Sequence, residues 1–443
     1  MKVVFKYILT MIILILMYNL LLYGISLFPS EWIYDNCLKS AELLMEEGGV
    51  YSIKPSFFCV DNFSDALIFN EAYSIDCNTP LESYLKARKN YNKEITEYEL
   101  PDSTRELSSY RDNTIINGIP QADEIYDTPE ELLLFLKGNV KTSVDYARYY
   151  HGYLVLYRPL LLLFDAMGIK VIQLLIFLTL TILLAYKIYK KMGIRITFSI
   201  IVSLVLFDGI AISYSLQQAP LFLVVLITCI VVVHNLEKIT WKKMFYGSMI
   251  VGSIACFVDY LTIPVLTLAL PLLIYSIYHL KTEKHVDNKN MFKNIFITCI
   301  LWAFGYGITW LSKWIICDIF ANTTVIQSAI EQIKFRSIGT VDRDLTNHFI
   351  VFLKYFAYVF LVCQILILIL SELNKKRPHI KNQEPIENHT SLLLFISIVP
   401  LIWFLVTLNH SILHIFMTYR NFLPLCILGL LLFFREFTFK KKQ

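Results

Sequence analysis

Runs of about twenty apolar residues, separated by short basic connections, constrain this chain more than any other feature. A helix needs about 20 largely apolar residues to cross a bilayer, and backbone inside hydrocarbon must satisfy its own hydrogen bonds. Such runs lie near 7 to 28, 170 to 186, 196 to 212, 219 to 235, 244 to 258, 263 to 279, 295 to 316, 349 to 370, 391 to 408 and 421 to 435. They predict about ten spans, a few short enough to pair as re-entrant or broken helices. The stretch from Leu154 to Phe164 is a candidate extra partial span. Hydrophobic residues make up 56% of the chain and charged ones only 17%, a balance that soluble globular domains do not show. The expected fold class is an all-α polytopic membrane protein of about ten transmembrane helices, with a large first extracytoplasmic loop containing interfacial helices.

Orientation follows from the lysines and arginines, which favour cytoplasmic loops. A cytoplasmic amino terminus puts Lys2 and Lys6 inside, with Lys187, Lys190, Lys191 and Arg195, then Lys238, Lys242 and Lys243. The same choice places inside Lys281, Lys284, Lys289 and Lys293, then Lys375, Lys376, Arg377 and Lys381, and finally Lys440, Lys441 and Lys442. The opposite turns, Ser213 to Pro220 and Tyr260 to Thr262, carry neither Lys nor Arg. The expectation is a multi-pass plasma-membrane protein with both termini cytoplasmic. Residues 1–28 form an uncleaved anchor, 29–150 an extracytoplasmic loop and 151–443 a multi-helix membrane domain. Cleavage after Gly24 to Ser26 is the alternative for the first run, although no clear A-x-A site follows it. The net charge of +4 sums basic inner loops and an acidic outer segment, so it does not point to nucleic acid.

Residues 29–150 are the only large segment outside the apolar runs, and there acids outnumber bases. Thr128, Pro129 and Glu131 read as N-cap, first-turn proline and capping-box acid of a helix that Gly138 closes. From Asn90 to Asp127, with Pro101, Gly118 and Pro120 as breakers, loops and short helices are expected. Of the nine cysteines, Cys37, Cys59 and Cys77 fall in this segment. Reduced thiols are the expected state, and the alternative, a Cys59–Cys77 bridge, would add about 3 kcal/mol by closing a short loop.

The residues that most suggest chemistry are Asp61 and Asp65 in DNFSDALIFNEAY. Four apart on a helix, they share a face, and like charges so close raise one proton affinity. That suits proton transfer. The competing reading is structural, with Asn62 as N-cap, Asp65 at N3 and Asp61 favoured by the helix dipole. Asp208, Gln217, Gln218, Asp259 and Tyr260 fall at outward span ends, where ionisable groups need a cavity, a partner or interfacial water. In YARYYHGYLVLYRP, tyrosines surround Arg148, His151 and Arg158, which reads as an interfacial helix whose Arg148 and His151 project together. Those two could hold a phosphate or simply touch lipid headgroups. NHSILHIFMTYR supplies His410, His414, Tyr419 and Arg420, with Arg420 aimed at an anionic headgroup; zinc is disfavoured because the acid of H-E-x-x-H and a third ligand are missing. Lys313, Lys334, Arg336 and Arg343 add positive charge in and beside a loop from Asp318 to His348 that could act as a lid.

No G-x-x-x-x-G-K-[ST] element or strand-turn-helix G-x-G-x-x-G unit occurs, and no inner loop is long enough for a nucleotide-binding domain. The layout, with a cytoplasmic amino terminus, an acidic first outer loop and about ten spans, resembles the GT-C superfamily of integral-membrane glycosyltransferases. The segments DNFSDALIFNEAY, YARYYHGYLVLYRP, DYLTIP and HIFMTYR are also similar to a family of multi-spanning proteins of Gram-positive bacteria. The superfamily's adjacent acidic pair is absent, since three residues separate Asp61 from Asp65, and the choice of base stays open. The resemblance implies transfer of a sugar from a polyprenyl-phosphate donor to a glycan or glycolipid acceptor at the outer leaflet. Asp61 or Asp65 would be the catalytic base; Arg148, His151 and Arg420 would bind phosphate, with Asp208, Asp259 and His410 lining the substrate mouth. The scheme requires no metal or other cofactor, although paired carboxylates could recruit a metal. A glycan polymerase or ligase, or a lipid-linked glycan flippase without transferase activity, are the other classes open.

The orientation is testable by cysteine accessibility. In Leu100→Cys, a membrane-impermeant thiol reagent should label intact cells; labelling only after permeabilisation would overturn the assignment.

Overall fold

The computed structural model describes residues 2–48, 50–52, 59–92, 115–116, 119–120, 128–209, 211–283, 285–338 and 389–433. The expected span at 349 to 370, the Lys376 connection, Lys284 and Arg343 lie outside them.

The described chain is mostly helical. Helix α1 (Lys2–Ile25) leads through a 3-10 turn to α2 (Tyr34–Glu47), and the hairpin of β1 (Val50–Ser52) with β2 (Cys59–Asp61) runs directly into α3 (Asn62–Tyr73). Then come α4 (Pro80–Lys86), β3 (Lys89–Tyr91), the two-residue strands β4 (Ile115–Ile116) and β5 (Ile119–Pro120), α5 (Thr128–Leu136) and β6 (Thr142–Val144). Strand β3 pairs antiparallel with β6, with Asn90 opposite Ser143. The other helices among the described residues are α6 (Leu154–Leu160), α7 (Ala166–Met192), α8 (Ile194–Leu206), α9 (Ala219–His234), α10 (Trp241–Val258), α11 (Leu266–Thr282), α12 (Asn288–Phe320), α13 (Val325–Ile338), α14 (Thr390–Val406) and α15 (Leu423–Phe433). Short helical turns fill Leu408–Leu413, Ile415–Thr418 and Tyr419–Phe422.

Among the described residues four segments are long and apolar enough to cross a membrane: Lys2–Ile25, Ala166–Met192, Ile194–Tyr214 and Asn288–Phe320. Helix α1 shows why they need a nonaqueous surround. Met11, Tyr18, Leu22 and Ile25 form its one buried stripe, while Val3, Phe5, Ile8, Ile12, Leu16 and Leu20 stand exposed. An uncovered apolar face of that size suits lipid. Several expected spans form shorter helices. Helix α9 has 16 residues, about 24 Å at 1.5 Å per residue, against a hydrocarbon thickness of about 30 Å.

The membrane-type helices meet through small and hydroxyl residues, the chemistry that lets helices associate where lipid is as apolar as leucine. On α10, Gly252 lies against the Trp302 carbonyl of α12, and reciprocally Gly305 of α12 lies against the Met249 carbonyl; a Cβ at either glycine would overlap backbone. A hydroxyl chain runs beside this contact. Tyr18 of α1 bonds Ser253 of α10 at 3.0 Å, and Ser253 bonds Thr309 of α12 at 2.7 Å.

In the first loop, α5 occupies the expected place and Gly138, at φ +81, follows its end. Glu131 Oε2 accepts the Asn92 backbone N–H at 2.6 Å, tying α5 to the end of β3. Cys37 and Cys77 carry free thiols, so no Cys59–Cys77 bridge forms. Lys313, expected as open positive charge, is fully buried on α12, and its Nζ donates to the Tyr84 and Leu85 carbonyls at 3.2 and 2.9 Å. Those carbonyls end α4 without intrahelical partners, which is where an ammonium is most favourable.

Replacing Gly252 by Leu should force α10 from α12 and cost about 1–3 kcal/mol, lowering the thermal midpoint in detergent by several degrees. Gly247, beside which a Cβ meets nothing within 4 Å, should accept Ala without loss; equal midpoints for Gly252→Leu and wild type would contradict this packing.

Candidate functional site

Helix α3 reads NFSDALIFNEAY, and ten of its twelve residues are buried. It packs against α2, α5, α6 and β3. A helix buried on every side cannot send polar groups to water, so each must meet a partner or cost several kcal/mol. The partners come from six separate parts of the chain. Asn62 donates to Glu47 Oε2 at 3.0 Å and to the Gly48 carbonyl at 2.9 Å. Asn70 exchanges two hydrogen bonds with the Asn90 backbone, 2.8 and 2.9 Å, locking α3 to β3. At the carboxyl end, Arg158 donates to the Ala72 carbonyl at 2.8 Å and to the Phe28 carbonyl at 2.7 Å.

The two aspartates have different situations. Asp61, not Asn62, is the N-cap: its Oδ1 accepts the Ser64 N–H at 3.1 Å and its Oδ2 the Ser64 hydroxyl at 2.7 Å. This places Asp65 one residue beyond the expected N3 position, because β2 runs through Asp61 itself and the helix begins immediately after it. Asp65 points into the protein. Its Oδ1 accepts the Leu216 N–H at 3.0 Å, and its Oδ2 lies 3.1 Å from Lys170 Nζ on α7. The same ammonium is 3.4 Å from Asn62 Oδ1 and 3.9 Å from Glu47 Oε2. Beside them Tyr157 donates to the Leu216 carbonyl at 2.7 Å and accepts from Gln173 at 2.7 Å. Burial raises the proton affinity of both acids. Asp65 is pushed up to about 6, opposed by Lys170 and reinforced by Asp61; the bonds from Ser64 restrain Asp61.

A second polar cluster surrounds Glu71, six residues on and therefore about 120° around α3 from Asp65. Glu71 is fully buried. Its Oε2 accepts the Tyr153 hydroxyl at 2.6 Å and lies 3.0 Å from His151 Nδ1, while Oε1 is 3.9 Å from Lys89 Nζ. Lys89 sits 3.2 Å from the Tyr146 ring centroid and donates to the Tyr260 hydroxyl at 3.3 Å. Tyr149 stacks on Tyr260 at 5.5 Å between centroids. An ammonium over a tyrosine face with a carboxylate behind it combines cation–π and ionic attraction.

The expected helix over Arg148 and His151 does not form; residues 145–153 are turns, and α6 starts only at Leu154. His151 has a left-handed backbone, φ +56. Gly152 follows with its N–H on the Phe257 carbonyl at 2.9 Å, so close that a Cβ there would collide with Phe257. That contact turns the chain, and the two side chains take different partners beside the Tyr146 ring. His151 goes to Glu71, whereas the Arg148 guanidinium lies 5.1 Å from the Tyr146 ring centroid and its carbonyl accepts from Trp310 and Trp314 at 2.8 and 3.0 Å.

The loop after α10 joins this cluster to the last described helices. Asp259, the C-cap of α10, accepts the Thr262 N–H and hydroxyl at 2.8 and 2.7 Å and the Tyr306 hydroxyl at 3.2 Å. The Leu261 carbonyl accepts His410 Nε2–H at 2.7 Å, and His410 Nδ1 accepts from Arg336 at 2.7 Å. Asp208 accepts the Tyr419 hydroxyl at 2.6 Å. Arg420, expected to face a headgroup, is fully buried: its Nε donates to the Phe207 carbonyl at 3.1 Å and its Nη1 to Gln218 at 2.7 Å. Among the described residues the expected site residues thus divide: Asp61 and Asp65 lie with Lys170, His151 with Glu71, Asp259 with Thr262 and Tyr306, His410 with Arg336 and the Leu261 carbonyl, Asp208 with Tyr419, and Arg420 with Gln218 and the Phe207 carbonyl. Leu261 (φ +61) and Asp208 (φ +54) share the left-handed backbone of His151, conformations that cost non-glycine residues on the order of 1 kcal/mol or more and often mark functional positions.

Sequence reasoning missed Glu71, Lys89 and Lys170. Lys170 had a readable signal, a lone cation at the edge of an apolar run. Glu71 had a similar one inside DNFSDALIFNEAY. Lys89 had none, because only the β3–β6 pairing carries it beneath Tyr146. Among known proteins, no family model, no curated protein and no solved structure matches this chain.

The cap assignment separates two substitutions at one position. Asp61→Asn should leave stability nearly unchanged, because Asn caps as well as Asp, whereas Asp61→Ala should cost about 1 kcal/mol. Thermal midpoints would check this; equal losses in both variants would show that the charge, rather than the cap, matters.

Proposed function

We propose that the protein is a multi-pass membrane transferase that moves a sugar from a polyprenyl-phosphate carrier to a hydroxyl of a cell-surface or lipid-linked glycan. The observation that carries this reading is Asp65, a buried carboxylate beside the apolar helix α7 whose proton affinity is raised to about 6. A group of that affinity is mostly ionised at neutral pH yet basic enough to accept an acceptor's proton. In this reading residues 29–150 lie outside, both termini are cytoplasmic and about ten spans surround the site.

Asp65 is the base and Asp61 holds the helix that carries it. Lys170 takes the role expected of Arg420, because it is an ammonium at the end of a membrane helix with only carboxylate and amide oxygens around it. When an anionic donor arrives, the ammonium exchanges Asp65 for a phosphate oxygen, which frees the carboxylate as base. The acceptor O–H gives its proton to Asp65, its oxygen bonds the anomeric carbon, and the carbon–oxygen bond to phosphate breaks. The electron pair leaves with the phosphate, where Lys170 offsets the added charge.

Sugar incorporation from a polyprenyl-phosphate donor, measured in membranes at matched protein abundance, tests the proposal. Asp65→Asn should lower turnover roughly 100-fold or more, and the wild-type rate should fall as pH drops through about 6, since the protonated carboxyl no longer accepts. Wild-type turnover by Asp65→Asn would remove Asp65 from the chemistry, and carrier binding without any transfer by the wild type would favour a transporter.

A further inference from the structure

We propose that Glu71, Tyr153 and His151 form a second acid–base site that stores one transferable proton. The inference stands apart from the transferase reading and rests on counting hydrogens. His151 Nε2 lies 2.7 Å from the Tyr146 carbonyl, which only accepts, so Nε2 carries a hydrogen. The other three atoms form a triangle: Nδ1 to the Tyr153 oxygen 2.6 Å, that oxygen to Glu71 Oε2 2.6 Å, and Oε2 to Nδ1 3.0 Å. Burial, reinforced by Glu71, pushes the Tyr153 hydroxyl well above its ordinary value, so it keeps its single hydrogen.

One hydrogen cannot serve three such edges. If Tyr153 donates to Glu71, a bare Nδ1 would face two oxygen lone pairs at hydrogen-bond distance in a fully buried site, where unpaired polar groups are most costly. A second proton resolves the triangle. On Nδ1 it is shared between the Tyr153 oxygen and Oε2, and Tyr153 still donates to Oε2. The Lys89 ammonium lies 3.9 Å from Oε1, on the far side of the carboxylate from the imidazole. The other groups facing the triangle are the rings of Tyr146, Tyr149 and Tyr260, with the Arg148 guanidinium behind Tyr146. None of these rings offers a stronger acceptor than Oε2.

Release is a balanced step. The Nδ1–H bond breaks as an O–H bond forms on Glu71, leaving neutral imidazole and a carboxylic acid, which then gives the proton to an oxygen base and returns to carboxylate.

Nitrogen-15 NMR of histidine-labelled protein in nanodiscs at pH 7 tests the assignment, with His151→Gln identifying the His151 signals. The expected result is a proton on both ring nitrogens in the wild type, retention of both in Tyr153→Phe, and loss of the Nδ1 proton in Glu71→Gln. A bare Nδ1 in the wild type would overturn the proposal. That measurement needs no variant at the triangle, so it decides even if Glu71→Gln fails to fold; persistence of the Nδ1 proton in a folded Glu71→Gln would also overturn it, because the carboxylate would not be what holds it.

Discussion

The structure depends on burying two carboxylates of one short helix. Taking an ionised carboxylate out of water costs several kcal/mol even after relaxation, and only a close cation with further hydrogen bonds offsets this. Helix α3 meets the condition twice, with Lys170 for Asp65 and with Lys89 and His151 for Glu71. Because these partners come from α7, β3 and the turn before α6, satisfying α3 fixes how the first loop sits on the helices that follow. Arg158 and Asn70 add the same kind of constraint without a carboxylate.

This arrangement explains why residues 145–153 are not helical. A helix there would align Arg148 with His151 on one face, yet His151 has to reach Glu71 while the Arg148 carbonyl accepts from two tryptophans of α12. The left-handed backbone at His151 and the contact of Gly152 with Phe257 are the local cost of serving both. Comparable turns at Asp208 and Leu261 aim Asp208 at Tyr419 and the Leu261 carbonyl at His410. Backbone departures therefore occur where polar groups from distant segments must meet.

The two sides of α3 differ in kind. Toward α7 stands a simple ion pair, a carboxylate of raised proton affinity with one ammonium and amide neighbours. Toward β3 and the turn before α6 stands a network in which Glu71 meets Tyr153, His151 and Lys89. Asp61, as N-cap, begins the helix that carries both.

By itself the sequence determined the helical character of the molecule, since runs of apolar residues can satisfy their backbone in lipid only as helices, and among the described residues four segments are long and apolar enough to cross a membrane. It also marked DNFSDALIFNEAY as the unusual segment, because acids in an otherwise apolar stretch demand partners wherever they fold. It placed α5 and the glycine that follows it, and the end of α10 at Asp259. Only the tertiary structure decided who those partners are. Local spacing put Asp61 and Asp65 on one helix face and Arg148 and His151 on another, but Asp61 became a cap, Asp65 met a lysine 105 positions away along the chain (170 − 65), and Arg420 met a carbonyl and a glutamine. The reason is physical: a helix period or a cap is written in neighbouring residues, whereas the partner of a buried charge is set by which distant segment packs against it.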